Sequence, residues 1–530
     1  MALLEKDPFR RVLSAEHVCE LLRDVARPKA IHQLAGALTP HELQRSRLVG
    51  REAPVHAFHE SLARAEAGAG SYWLVGGESG VGKTRLLKEL ALHAERAGVT
   101  VIFGQCAELS DTPAAGSLPG IALRPLGAFL SWLSDSLGDS GAPAPSLLTA
   151  LAVLADYEPA LADVPGVADV SLPTLQPELA RARVLRSLLD ASRYIARDCP
   201  VFLVIDDIQW ADDLTLGFLC ALSQQAIAES KLIVAVGYRS EELRADLQRE
   251  LAERANQRFV LQRLTLDQVT IMTRDMLGTE LPPAGLPALL HRHSDGNPFF
   301  VSEYLRALAA EGALRADTGI GRAALQLESG PIQLPSSLRE LFALRRSQMN
   351  SDTRVTLELA SILGRDFPIP LLERIAREDD VQVDTRLAVT VLLGHRVLEQ
   401  HEPGRLQFAH DKFREAQEEA ISAERRRRLH EIAAKLMSER SESVPLAQLG
   451  LHWARAGHPL QALECLESAA DQAMQRYANN DAIELYEHAT SQIMILCSEA
   501  EGERRWASRR ARISQRRGDV FARSARHQEA

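Results

Sequence analysis

The feature that most constrains this chain is a glycine-rich loop between a strand-like run and a helical pattern. The apolar run 72–76 leads directly into the loop 77–84, which has the form G-x-x-x-x-G-K-T. After the loop, apolar residues recur at helical spacing, namely Leu86, Leu87, Leu90, Ala91 and Ala94. This order of strand, loop and helix predicts an α/β P-loop fold in which the loop binds phosphate.

The residue types of the loop suit a polyphosphate. Glycines permit backbone angles and a close approach that a Cβ would forbid, so consecutive N–H groups and the helix N-terminus can face an anion. We expect Lys83 to contact the β- and γ-phosphates of ATP and the Thr84 hydroxyl to bind Mg²⁺. The predicted phosphate-binding residues are Gly77, Glu78, Ser79, Gly80, Val81, Gly82, Lys83 and Thr84.

A second apolar run ends in two acids. The run 201–205 is continuously apolar, as expected for a strand covered on both faces. Open α/β sheets bind their ligands at the carboxyl ends of such strands. We therefore expect Asp206 to bind Mg²⁺ and Asp207 to orient the attacking water. The alternative is that these acids only cap the helix that follows.

Further strand-like runs lie at 99–103, 232–237 and 259–261, with helical segments between them. This alternation predicts a parallel sheet with helices on both faces, and the expected strand order is 5-1-4-3-2. Arg239 follows the fourth strand, where we expect it to reach the γ-phosphate and report its presence. A surface arginine without that role is the alternative.

Composition and charge exclude several classes. A chain of 530 residues with 46% hydrophobic and 25% charged residues is globular and has several domains. Its formal charge of −10 does not favour nucleic acid as a partner. No apolar run is long enough to span a membrane, and residues 1–8 lack a signal peptide, so we expect a cytoplasmic protein. The scattered cysteines predict reduced thiols rather than a metal site.

Four stretches together resemble the STAND signal-transduction ATPases, relatives of the AAA and Orc1-like ATPases. They are the run 48–52, the phosphate loop, the run 206–212 with its DDxxWAD form, and the run 295–300 with its G-x-P element. The resemblance implies that Val49, Gly50 and Arg51 lie beside the adenine and that Pro298 packs near the base. Asn297 is expected to cap a helix with Pro298 in its first turn. A helix start without contact to the base is the alternative.

The resemblance also has limits. AAA enzymes usually carry Asp-Glu at the acidic strand end, whereas this chain has Asp206-Asp207. The shorter second acid favours a slow, switch-like hydrolase. The sequence offers no assignable arginine finger.

Beyond the predicted ATPase core (45–265) and a helical lid (266–333), residues 334–440 resemble a winged-helix domain. Its predicted hairpin joins 396–400 to 405–408. Ala409-His410-Asp411 is similar to the family's MHD element, which implies that His410 contacts the β-phosphate of ADP. A plain packing role for His410 is the alternative.

Residues 441–530 predict TPR-like helical repeats, with helices at 446–456, 459–474 and 478–495. This array looks truncated. At the other end, residues 1–28 resemble the last helix of a serine/threonine kinase domain, since Asp7, Pro8 and Arg11 match its pattern, and residues 29–44 read as a linker. No kinase catalytic motif occurs in this chain. Residues 107–200 receive no role.

These features predict an ATP-binding switch that regulates an attached output domain, expected to be a kinase. A protein or small-molecule inducer would bind the repeats, and a nucleotide-dependent oligomer is possible. The alternatives are a LuxR-like regulator without its DNA-binding domain, an adenylate-cyclase-linked ATPase, and a repeat scaffold with a degenerate ATPase.

Overall fold

The computed structural model describes residues 43–107, 122–138, 143–317, 324–327, 338–400, 404–439, 445–497 and 502–528. The strands of its first part are β1 (Ser71–Gly77), β2 (Thr100–Gln105), β3 (Val201–Asp206), β4 (Leu232–Arg239) and β5 (Gln257–Leu261). The helices of this part are α1 (Glu52–Glu66), α2 (Lys83–Arg96), α3 (Gly127–Gly138), α4 (Pro145–Leu154), α5 (Pro177–Ile195), α6 (Asp213–Ala221), α7 (Gln224–Ala228) and α8 (Ala245–Arg254).

The five strands form one parallel sheet in the order β2-β3-β4-β1-β5. This is the predicted order 5-1-4-3-2 counted from the other edge, so the prediction of fold class is confirmed. Every residue of β1, β3 and β4 is buried, because helices cover both faces of the sheet. The register pairs Gly77 with Arg239 and Gln105 with Asp206, which places all four at the carboxyl edge of the sheet.

A helical region follows the sheet and leads into a small mixed domain. Its helices are α9 (Leu266–Leu277), α10 (Leu286–Ser294), α11 (Pro298–Ala310), α12 (Leu338–Ser347), α13 (Ser351–Ile362), α14 (Ile369–Glu378), α15 (Thr385–Gly394), α16 (Asp411–Ala420) and α17 (Ala423–Ser438). Its strands are β6 (Leu314–Asp317), β7 (Ala324–Leu327), β8 (Asp366–Pro368), β9 (Leu398–Gln400) and β10 (Arg405–Phe408).

The predicted hairpin is confirmed, since β9 pairs antiparallel with β10. The strand β8 was not predicted, and it adds to the other side of β10. We call residues 338–439 the winged-helix-like region. The first residues of the predicted domain, 334–337, lie outside the described residues.

The last part of the chain is a stack of helices: α18 (Leu446–Ala456), α19 (Pro459–Gln475), α20 (Asn479–Leu496) and α21 (Gly502–Gln528). The first three agree with their predicted bounds to within one residue. Alanines such as Ala470 and Ala482 are fully buried where these helices pack, because small side chains let helix backbones approach closely.

The segment without a predicted role packs against this stack. Leu151 of α4 and Leu188 of α5 belong to the same continuous apolar core as Leu466 of α19 and Tyr486 of α20. The backbone N–H of Asn480 also donates to the Asp213 carboxylate at the start of α6, at 2.7 Å. Helices α4 and α5 and the repeats therefore share one apolar core.

The predicted kinase-like helix (1–28) and nearly all of the predicted linker (29–44) lie outside the described residues. Within the described ranges, no helix combines the length and the apolar character that crossing a membrane requires.

Candidate nucleotide-binding site

The phosphate loop has the backbone that its glycines predict. Gly77, Gly80 and Gly82 have φ values of 153°, 80° and 100°, a region that residues with a Cβ rarely adopt. Gly82 occupies the N-cap position of α2, and no side chain caps the helix there. The first N–H groups of α2 are therefore oriented as an anion site requires.

Lys83 lies inside the loop and is 5% exposed. Its Nζ donates to the carbonyl oxygens of Gly77 and Glu78, both at 2.8 Å. Burial lowers the pKa of Lys83, and the nearby Asp207 and Asp206 partly oppose that shift. Two of the three ammonium N–H groups hold the loop, so one remains for a phosphate oxygen.

Thr84 and Asp206 bring two oxygens together as a Mg²⁺ site requires. The Thr84 hydroxyl donates to Oδ2 of the fully buried Asp206 at 2.5 Å. Burial, together with the charge of Asp207, raises the pKa of Asp206 to about 6. Among the described residues no group of three or more acids, histidines or cysteines could hold a metal. The pair fits Mg²⁺ because this ion usually takes few protein oxygens and fills its shell with water and phosphate.

Four charged residues form what we call the charge cluster: Asp207, Arg239, Arg365 and Asp411. Arg239 contacts Asp411 at 2.6 Å and Asp207 at 3.4 Å. Arg365 contacts Asp411 at 3.1 Å and Asp207 at 3.3 Å. Both guanidinium groups lie over the Trp210 ring, at 4.3 Å and 5.9 Å from its centre. The cluster joins the end of β3 to the winged-helix-like region.

Electrostatics in the charge cluster favour the ionised acids. Burial by itself would raise the pKa of Asp207, but the charges of Arg365 and Arg239 outweigh it and lower that pKa. Burial likewise opposes the charge of Arg239, yet Asp207 and Asp411 raise its pKa above the ordinary value. Arg239 lies at the predicted edge of the sheet, where carboxylates hold it. Its contact with a γ-phosphate stays a prediction.

Arg51 binds the backbone of the phosphate loop and of the segment that follows β5. Its guanidinium donates to the carbonyl oxygens of Val81 at 3.1 Å and Gln262 at 2.8 Å. Gly50 has φ 68°, and the Gln268 side chain lies where its Cβ would be. Val49 is buried. These residues pack close to the loop, and the adenine contact implied for them stays a prediction.

The G-x-P element covers the loop from the other side. Asn297 caps α11 by accepting from the Phe299 N–H at 3.1 Å, and Pro298 is the first residue of that helix, so the predicted cap is confirmed. The Asn297 amide also donates to the Ser79 carbonyl at 3.0 Å. A Cβ at Gly80 would lie 3.0 Å from the side chain of this asparagine and 3.1 Å from that of Phe299. The position of Pro298 relative to a base stays a prediction.

His410 lies against the same element. Its ring stacks on Phe299 with 3.8 Å between centres, and its Nδ1 accepts from the Lys412 N–H at the start of α16. Burial lowers the pKa of His410 to about 4, so the ring is neutral at physiological pH. In this structure His410 packs and caps, and its predicted contact with ADP stays a prediction.

Sequence reasoning missed several contributors to the site. Arg365, Trp210 and Gln105 carried no assigned role, although Gln105 donates to Asp207 at 3.3 Å. Glu241 accepts from the Ser79 N–H of the phosphate loop at 2.7 Å. The only available signal was the Trp within the DDxxWAD run, because the other residues belong to no local motif.

Comparison with known proteins agrees with this geometry. Residues 47–235 match the sequence model of a family described as AAA ATPase domain. An uncharacterized protein of Rhizobium meliloti (strain 1021) is 24% identical over 466 residues, which cover 83% of this chain and 42% of that protein. This chain thus spans less than half the length of that curated relative.

Two solved structures are also similar. A STAND protein with a tetratricopeptide repeat sensor from Pyrococcus horikoshii is 13% identical with a TM-score of 0.48, over 91% of this chain and 66% of that one. The Orc1 protein of Aeropyrum pernix, solved in complex with DNA, is 15% identical with a TM-score of 0.30, over 73% of this chain and 98% of that one. The family match over residues 47–235 confirms the prediction of an AAA-type P-loop ATPase domain in this part of the chain.

Proposed function

We propose that this chain is a STAND-type signalling switch that binds ATP or ADP with Mg²⁺ and hydrolyses ATP slowly. The observation that carries the proposal is the buried contact between Arg239 and Asp411, at 2.6 Å. It joins the strand next to the acidic strand to the first residue of α16 in the winged-helix-like region. A change at the γ-phosphate position would thereby reach a second domain.

In the proposed hydrolysis each residue has a separate task. Lys83 and the loop N–H groups bind the phosphates, while Thr84 and Asp206 hold the Mg²⁺ ion, which neutralises charge on the transferred phosphoryl group. Asp207 orients the attacking water. Its side chain is one carbon shorter than the usual glutamate, which supports slow turnover.

The switch requires that ATP and ADP favour different arrangements of the two regions, since a ligand shifts an equilibrium only through its differential affinity. The charge cluster supports this requirement because its arginines are shared between carboxylates of both regions. A γ-phosphate would compete with Asp411 for Arg239, whereas ADP has no group at that position. We therefore propose that ADP favours the docked arrangement and that ATP opposes it.

The repeats are the proposed sensor of a protein or small-molecule inducer. They contact the ATPase core through Asn480, whose backbone N–H donates to Asp213. Asp213 lies seven residues after Asp206 in the sequence, which supports a direct influence of the repeats on the acidic end of β3. The proposed output is an attached serine/threonine kinase. Attachment to a LuxR-like or cyclase output instead would leave the switch itself unchanged.

The test is calorimetric titration of the full chain with Mg-ATP and Mg-ADP, alongside the Lys83→Ala variant. We expect both nucleotides to bind the unmodified protein and Lys83→Ala to lose roughly 10- to 100-fold in affinity, since hydrogen bonds to charged groups contribute about 1.5–3 kcal/mol. Lys88→Ala, farther along α2, is the matched control and should bind normally. Properly folded protein that takes up neither nucleotide would disprove the proposed function.

A further inference from the structure

Arg365 enters the site from the winged-helix-like region, in the turn between α13 and β8. Its side chain is only 12% exposed. Nη1 lies 3.3 Å from Oδ2 of Asp207, and Nε lies 3.1 Å from Oδ1 of Asp411. Its carbonyl accepts from the Phe408 N–H at 2.8 Å, which fixes the turn to the end of β10. The arginine is therefore placed by its own region and directed at the ATPase core.

Asp207 has donors on both of its carboxylate oxygens. Oδ1 accepts from Gln209 at 3.1 Å and from Arg239 at 3.4 Å. Oδ2 accepts from Gln105 and Arg365, both at 3.3 Å. The side chain is 4% exposed. A carboxylate oriented in this way has little capacity left to accept a hydrogen bond from an attacking water.

We propose that Arg365 is a positioning residue by which the docked winged-helix-like region restrains Asp207 and keeps ATP hydrolysis slow. The proposal rests on the proposed function, in which Asp207 orients the attacking water. Arg365 acts through Asp207 and needs no contact with the nucleotide.

Of the four side chains that donate to Asp207, only Arg365 can be removed by undocking, because of the region to which it belongs. Gln105, Gln209 and Arg239 belong to the ATPase core, so undocking would not carry them away from Asp207, although Gln105 also contacts Gln407 and Arg239 also contacts Asp411 of the winged-helix-like region. Arg365 alone among these four comes from the second region. Undocking would remove it from Oδ2 and would, in the same movement, separate Asp411 from Arg239. One displacement would thus release both the acid and the arginine predicted to meet the γ-phosphate.

The principal experiment measures kcat for Mg-ATP with the full chain, comparing Arg365→Gln with Arg386→Gln. Arg386 lies in the same region, is 84% exposed at its side chain and pairs with Glu373, so it is the matched control. We expect Arg365→Gln to raise kcat roughly 5- to 100-fold, the range typical of coupling between sites. Arg386→Gln should leave kcat unchanged.

A conservative substitution separates positioning from a merely structural role. Arg365→Lys keeps the charge and cannot contact both carboxylates through two nitrogens. This variant should therefore also raise kcat, whereas a merely structural loss would lower kcat in both variants.

Hydrogen–deuterium exchange without nucleotide gives a second readout. The segment 405–415 should exchange faster in Arg365→Gln and in Asp411→Asn than in Arg386→Gln. Should either variant unfold at a lower temperature, the other still tests the docking, since both remove the contact between Arg365 and Asp411. Calorimetry on the unmodified protein distinguishes the failures: absent nucleotide binding disproves the proposed function, whereas normal binding with a kcat that Arg365→Gln lowers or leaves unchanged disproves only the restraint.

Discussion

The phosphate loop and the charge cluster meet at the same edge of the sheet, but contacts of very different range hold them. Lys83 bonds to carbonyl groups five and six residues away. Arg239 and Asp411 are 172 positions apart, and Arg365 and Asp207 are 158 apart. The buried lysine of the loop is therefore held by its own strand and helix, with Asn297 and Glu241 adding contacts to Ser79, whereas the charge cluster exists only while two regions are docked. We therefore expect that the proposed nucleotide binding and its proposed regulation can be altered separately.

Breaking the charge cluster should have the largest effect on stability. Arg239 and Asp411 are each at least nine-tenths buried at the side chain, and removing one partner of a buried pair costs roughly 3 kcal/mol or more. We expect Asp411→Asn to lower the free energy of unfolding by about that amount, measured by urea denaturation, and to retain ADP binding. Lys412→Gln, with a more exposed ion pair on the same helix, should be almost neutral.

A double-mutant cycle with Arg239→Gln sharpens this result. The two substitutions should be non-additive by about 2 kcal/mol, because they remove the same contact. Additive losses would mean that the pair does not couple the two regions.

The next largest effect is expected at Gly237 of β4, where the backbone lies close to the Asp206 carboxylate. A Cβ at Gly237 of β4 would collide with Oδ1 of Asp206 and approach Leu87 to 2.8 Å. Overpacking of this kind costs about 1–3 kcal/mol, and the displaced carboxylate would leave Thr84. Gly237→Ala should therefore lower the melting temperature and abolish the part of the nucleotide affinity that depends on Mg²⁺.

The control for this substitution is Gly127→Ala, since an added Cβ there meets open space. Titrations in Mg²⁺ and in EDTA give the metal-dependent part of the affinity. Normal metal dependence in Gly237→Ala would contradict the assignment of Asp206.

The part of the nucleotide affinity that depends on Mg²⁺ should vary moderately with pH. The pKa of Asp206 is raised to about 6, so its charged form is disfavoured in the fold, and the stability that it contributes is lost as the pH rises through about 6. Mg²⁺ requires the charged form. The metal-dependent affinity should therefore grow with pH up to about 6 and fall by at most roughly tenfold per pH unit below it.

Titrations between about pH 5 and about pH 7 test this expectation. Asp206→Asn should show no metal-dependent affinity at any pH. A flat profile in the unmodified protein would place the metal elsewhere.

The smallest effect is expected for an ion pair on the outside of the phosphate loop. Arg263 pairs with Glu78 at 2.7 Å, with side chains 42% and 51% exposed. Exposed pairs contribute about 0.2–1 kcal/mol and are screened by salt. Arg263→Ala should shift thermal unfolding slightly at low ionic strength and negligibly at high ionic strength. A loss of stability as large as that of Asp411→Asn would remove the contrast between the phosphate loop and the charge cluster.

Much of the ATPase fold was predictable because its signals are local. The apolar runs predicted the strands, the glycine loop and the acidic strand end marked the edge of the sheet that carries the site, and Asn297 with Pro298 predicted the start of α11. The repeat helices α18, α19 and α20 were equally predictable, because their apolar residues recur at helical spacing and clear breaks separate the helices. Each of these features depends on residues within one or two turns or one strand.

The partners of the charged side chains were not predictable in the same way. Arg239 and Asp411 were both noticed in the sequence, but for different reasons and without reference to each other. Arg365 belongs to no motif, and β8 is only three residues long.

The sequence by itself determined a parallel sheet with a phosphate loop, the hydroxyl and carboxylate proposed to bind Mg²⁺ at its edge, a hairpin and a helical stack. Only the tertiary structure decided that Asp207 accepts a hydrogen bond from a second region and that α4 and α5 share an apolar core with the repeats. The physical reason is range: backbone angles and periodic burial are properties of short segments, whereas a buried charge takes whichever opposite charge docking brings within about 4 Å.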